Sequence, residues 1–160
     1  RAQSADSEKV NELFRSAKHH AVMAEEDADR LEANTRSGVS WKSHAATVSG
    51  VKEHVNNLIR DFNNAKELRP EASEWQKDAI DKIEPLLQGI ADHLNATINH
   101  LNENQNRTQM KPWKDYVKAN SEYTTRAANL IRDYVAYGEA RANADSLEKS
   151  LQIPETPGQE

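Results

Sequence analysis

His93 and His100 fall seven residues apart on what reads as one helical face, in a chain with no cysteine, and paired imidazoles raise the question of a metal or haem site. At 1.5 Å rise per residue they stand about 10.5 Å apart, too far for both rings to reach one ion at about 2.1 Å each. The adjacent His19 and His20 point roughly 100° apart and fail as well. The Glu-x-x-His pattern of di-iron and di-manganese bundles is missing: Ser16, Ala17, Trp41, Val51, Ile90 and Thr97 stand three residues before the histidines. A transition metal or haem would therefore need ligands from different helices, and His44, His93 and His100 are the alternative metal set. Without such a site no cofactor is expected.

Other reactive signatures are missing from the sequence. It has no GxSxG elbow, no glycine-rich phosphate loop and no HExxH, and the lack of cysteine removes thiolate nucleophiles and thiolate zinc sites. The expectation is a protein that is not an enzyme. A net charge of −5 with both signs interspersed opposes phosphate neutralisation, so no nucleic-acid partner is expected. No window approaches the roughly 18 apolar residues of a membrane span. The opening RAQSADSEK reads like a mature start after leader removal or like a trimmed piece. It leans the expected setting toward periplasmic or extracellular, with cytoplasmic left open.

The elements that would position the histidines are helices. Five glycines and five prolines, with abundant Ala, Asn, Glu, Lys and Leu, point to helix almost throughout. The first helix is expected from about Ser4 to Thr35, with Val10, Phe14, Ala17, Ala21, Ala24, Ala28 and Leu31 spaced by fours and threes. Gly38 stops it. A second begins near Ser40 with Trp41, His44, Val48, Val51, Val55, Leu58, Phe62 and Ala65 on its seam, and ends at Arg69-Pro70. A third runs from Ala72 or Ser73 to about Arg107 through Ile80, Ile83, Leu87, Ile90, Leu94, Thr97 and Leu101. The fourth follows Pro112, with Trp113, Tyr116, Asn120, Tyr123, Ala127, Leu130, Tyr134 and Tyr137 assigned inward.

Four such segments joined by short loops predict an all-α, antiparallel, up-down-up-down four-helix bundle in one domain over residues 1–153, with residues 154–160 a disordered tail. NLIRDF at 57–62 returns as NLIRDY at 129–134, and Trp41-Lys42 falls on Trp113-Lys114 under the same shift of 72. Helices 1 and 3 match more faintly at a shift of 70. The reading is a duplicated helical hairpin, residues 4–69 and 72–151, with Leu-Ile structural and Arg-Asp engaged in salt bridges.

Folding the chain at loops near residues 38, 70 and 110 brings His44, Thr97, Asn120 and Tyr123 to one level inside the bundle, with Trp41, Trp113 and Tyr116 above. These seven form the candidate ligand pocket. Buried polar groups need partners, so the layer is a closed hydrogen-bond network, a water-filled end or a pocket. Pro85 and Gly89 interrupt helix 3. A kink is expected near Asp81 to Glu84, opposite Ala17, Ala21 and Ala24, with close packing or a cavity there. Trp41, Trp75 and Trp113 read as caps on the core ends, and Asn95-Ala96-Thr97 as a chance glycosylation match.

The functional expectation is a non-catalytic binding or interaction module with an unidentified protein or small-molecule partner. In architecture it resembles the extracytoplasmic helical sensor domains, a likeness of fold only.

Overall fold

Helix starts in this chain are built around serine. Ser7 precedes α1 (Glu8–Asn34) and its Oγ accepts from the Val10 amide at 3.3 Å; Ser40 does the same for α2 (Trp41–Glu67) with Ser43 at 3.3 Å. Ser73 precedes α3 (Glu74–Glu103), where the Gln76 side chain turns back to accept from the Ser73 amide at 2.9 Å. α4 (Lys111–Leu151) opens with Pro112 in its first turn, where a missing N–H costs nothing. Gly38, at φ +65°, supplies the left-handed residue that turns the chain between α1 and α2. The computed structural model describes residues 5–154. Among these it has four long α-helices, two short 3₁₀ turns and no strand. No described helix is long and apolar enough to cross a membrane. Ser4 and the tail expectation for 155–160 lie outside the described residues.

α1 packs against α2 and α4, and α3 against α4 and α2. Polar links fix the pairs. Asn34 meets Thr47 at 3.4 Å and the Ser16 hydroxyl donates to Asp61 at 2.6 Å between α1 and α2. Arg132 donates to Glu25 at 2.8 Å and Ser121 to Asp29 at 2.8 Å between α4 and α1. Gln76 joins the starts of α1 and α3, accepting from the Ser7 amide at 3.0 Å while donating to Ser7 O at 2.9 Å and to Asn11 Oδ1 at 2.8 Å. A buried glutamine with both ends of its amide engaged carries little desolvation penalty.

The expected seams of α1, α2 and α3 are buried almost residue for residue, with only Trp41 half-buried. The α4 seam holds at Trp113, Asn120 and Ala127 and differs elsewhere. Its buried residues are Trp113, Val117, Asn120, Ser121, Thr124, Ala127, Ala128, Ile131, Val135 and Gly138. Tyr123 and Tyr137 are exposed, and Tyr116, Leu130 and Tyr134 half-buried. Trp113, aliphatic residues and small polar ones, not tyrosines, fill the inner face. The rings lie at the boundary, where apolar faces pack and hydroxyls stay near water.

That rotation also separates the two copies of the repeated phrase. Leu58 is buried and Ile59 half-buried on α2, whereas Ile131 is buried and Leu130 half-buried on α4. Asp61 is buried but Asp133 exposed. The shared letters sit one residue out of phase, about 100° around the axis. Pro85 lies exposed within an unbroken α3, and Ala17, Ala21 and Ala24 lie in the core on a helix packed mainly against α2 and α4 rather than opposite Pro85. Beyond Gly138 no residue of α4 is buried, so its last turns outrun the bundle with Leu147 and Leu151 in solvent.

Candidate functional site

Burial of His44 is complete, at 0% exposure, and neither ring nitrogen has a hydrogen-bond partner. Its ring meets Trp113 edge-on at 5.5 Å, and the Trp113 indole N–H is likewise buried without a partner. Loss of water around the ring pushes the imidazole below its ordinary value, keeping it neutral near pH 7. Thr97 and Asn120 do meet: Asn120 Nδ2 donates to Thr97 Oγ1 at 2.8 Å and lies 3.2 Å from Tyr116 O, while Thr97 donates to His93 O at 2.8 Å. Thr124 adds a donation to Asn120 O at 2.8 Å. The two central residues thus belong to a dense internal network.

The remaining members of the expected pocket do not converge. Tyr123 is 38% exposed, packed beside His93 at 5.2 Å, and Tyr116 stacks near His100 at 4.7 Å; Trp41 is half-buried against the core edge. The three-histidine metal set does not assemble either. His93 Nε2 lies 3.0 Å from Tyr116 O on α4, and His100 Nδ1 lies 3.4 Å from Asn104 Nδ2 one turn along α3. Among the described residues no group of three or more His, Asp or Glu side chains is placed to hold a metal ion. The reason is the heptad: His93 and His100 flank the buried Thr97 on the side turned toward the tyrosines of α4, whereas His44 sits in the core.

A second titratable group lies on the α1–α2 face, where sequence spacing gave no hint. His20 Nε2 stands 3.9 Å from Asp61, His54 Nε2 stands 3.5 Å from Asp27, and the two rings stack at 6.4 Å. Burial lowers His20, with Asp61 acting in the opposite direction. These residues lie on different helices, so only the packing pairs them.

At the opposite end from His44, a groove of about 360 Å³ runs between α3 and α4, lined by Trp75, Asp78, Leu130, Asp133, Tyr134 and Tyr137. The Trp75 and Tyr137 rings stand at 74° with centroids 5.4 Å apart, two walls nearly at right angles. The indole is held from behind. Its N–H donates to Asp6 Oδ1 at 2.8 Å, Phe14 packs at 6.0 Å, and Gly138 lets the ring come so close that a Cβ there would fall 2.7 Å from Trp75 Cη2. Tyr134 donates to Asp78 Oδ2 at 2.7 Å. That bond, with help from Lys82, holds the Asp78 carboxyl below its usual range, while burial and then Asp78 push the Tyr134 phenol up. Comparison with family models, with curated proteins and with solved structures found no match.

The groove is not legible in the sequence, where Trp75 reads as a core cap and Tyr134 and Tyr137 read as core. One signal was present: Tyr134 and Tyr137 are three residues apart, with the acidic Asp133 beside them, near the end of α4 that faces the start of α3.

Proposed function

We propose that this chain is a non-catalytic binding module whose recognition site is the groove lined by Trp75, Tyr134 and Tyr137. The observation that carries this reading is that large aromatic side chains remain accessible around a groove there, with Tyr137 46% exposed, whereas His44, Thr97, Asn120 and Trp113 at the other end are sealed. A groove of this volume falls in the range of small-ligand sites, and rings held by a hydrogen bond or tight packing lose little entropy on binding.

An antiparallel, up-down-up-down course for the helices belongs to the same reading. As residues rise along α1 from Ser16 through Asp27 to Asn34, their partners on α2 fall from Asp61 through His54 to Thr47. The paired starts of α1 and α3 at Gln76 support it too. Duplication of a hairpin draws support only from the repeated letters, and the phase of burial on α4 counts against it.

The test is a two-dimensional NMR screen of the labelled protein against a mixed panel of small amines, carboxylates, sugars and peptides. Shifts centred on the Trp75 indole and the Tyr134 to Gly138 amides are expected. Shifts centred on Trp113 and His44 would move the site to the other end, and a silent panel would remove the binding reading.

A further inference from the structure

Groove chemistry narrows the ligand class, and this step rests on the binding reading above. Its lining is three aromatic rings, one leucine and two carboxylates, with no lysine, arginine or histidine among them. Aromatic faces carry negative potential, and carboxylates add to it, so the field in the groove favours a cation. The protein already places two cations on this cluster from outside: the Arg141 guanidinium lies 5.8 Å from the Tyr137 centroid, and Lys82 pairs with Asp78 at 3.1 Å. Asp133 is exposed and forms no ion pair among the described residues.

We propose that the groove is an aromatic cage for an alkylated ammonium group, with Trp75 and Tyr137 as its perpendicular walls, Tyr134 as a third face, and Asp133 as the counter-charge. A plain primary ammonium is strongly hydrated and loses much of that hydration in an apolar cage. A trimethylated one presents methyl groups to the rings and keeps its charge, which suits walls at 74° better than a single flat platform would. Asp78 serves a different purpose. Its carboxylate is occupied by Tyr134 and Lys82, so it fixes the Tyr134 ring rather than meeting the ligand.

The same headgroup occurs on free small quaternary ammonium compounds and on methylated lysine side chains. The experiment therefore titrates the whole chain with choline, with tetramethylammonium, with a short peptide carrying one trimethyl-lysine, and with 3,3-dimethylbutan-1-ol, the neutral isostere of choline. Binding is read from the Trp75 indole N–H signal. Choline or the peptide is expected to bind at least about tenfold more tightly than the isostere, by the worth of a cation–π contact with a nearby carboxylate. Whichever of the two binds more tightly identifies the source. Tyr137→Ala should abolish the shift, and Asp133→Asn should weaken choline severalfold while leaving the isostere unchanged. Equal binding of choline and its isostere would overturn the cation preference but leave an apolar ligand groove. No response to any of the four, with Trp75 responding to another panel member, would overturn this inference alone. Since Tyr137 and Asp133 are exposed, neither variant threatens folding.

Discussion

Asn120 on α4 and Thr97 on α3 meet with both side chains sealed from solvent, the amide donating to the hydroxyl at 2.8 Å. Replacing Thr97 by Val keeps the shape but removes the acceptor, leaving the amide only the weaker 3.2 Å contact to Tyr116 O. A loss of about 1–3 kcal/mol is expected, because a buried donor is stranded. The double change Thr97→Val with Asn120→Leu should recover most of it, since no polar group is left behind. Urea denaturation of the three proteins measures this. A Thr97→Val protein as stable as the parent would show that the pair contributes nothing.

Gly138 and Gly89 should respond to alanine in opposite directions. Both are helical, where alanine is intrinsically better by about 1 kcal/mol. At Gly89 an added Cβ meets nothing within 4 Å, so Gly89→Ala should stabilise by about 0.5–1 kcal/mol. At Gly138 it would fall 2.7 Å from Trp75 Cη2, and the indole is held by Asp6 and Phe14. Overpacking of this kind costs about 1–3 kcal/mol, so Gly138→Ala should destabilise and shift the Trp75 indole signal. Thermal melts of the two variants with one NMR spectrum each decide the matter.

Pro85 is exposed inside α3, so nothing in the core requires its ring. Pro85→Ala restores an N–H able to reach the Asp81 carbonyl and should stabilise the chain, by up to about 3 kcal/mol less whatever rigidity the proline gives the unfolded chain. Differential scanning calorimetry tests it. A fall in melting temperature would mean that the rigidity Pro85 gives the unfolded chain outweighs the hydrogen bond it removes from α3.

Three of the four seams were legible because they are written in aliphatic residues: Val48, Val51, Val55 and Leu58 on α2 leave no doubt which face is inside. α4 was not. Its inner face carries Asn120, Ser121 and Thr124, which look like surface, while its tyrosines look like core. Trp113, Asn120 and Ala127 are inward as expected, but an offset of one residue, about 100°, at the tyrosines is enough to draw Tyr123 inward and to hide Tyr137 from the groove it lines. Thr97 and Asn120 were placed correctly at one level because that estimate needs only helix rise and loop position. The His20–Asp61 and His54–Asp27 pairs could not be read at all, since they depend on which side of α2 turns to α1.

His44 gives the chain a built-in sensitivity to acid. Burial lowers its pKa in the folded state, so the neutral ring is the form that folding accommodates. Well above pH 6.5 the ring is neutral in both states and contributes no pH dependence. As pH falls through that value the unfolded chain takes up the proton first, and stability declines until the folded-state pKa is passed. His20, also lowered by burial, acts in the same direction. His44→Leu removes the titration and two buried nitrogens without partners. It should match or exceed the parent at pH 7.5, and lose less stability between pH 7 and pH 5, a range above most carboxylate titration. His20 contributes to the slope that remains, so adding His20→Gln should flatten it further. Urea midpoints at four or five pH values measure both slopes. A His44→Leu slope equal to the parent's would mean that the imidazole takes its proton as readily inside the bundle as in water, which a ring with no exposure and no acceptor beside it has no means of doing.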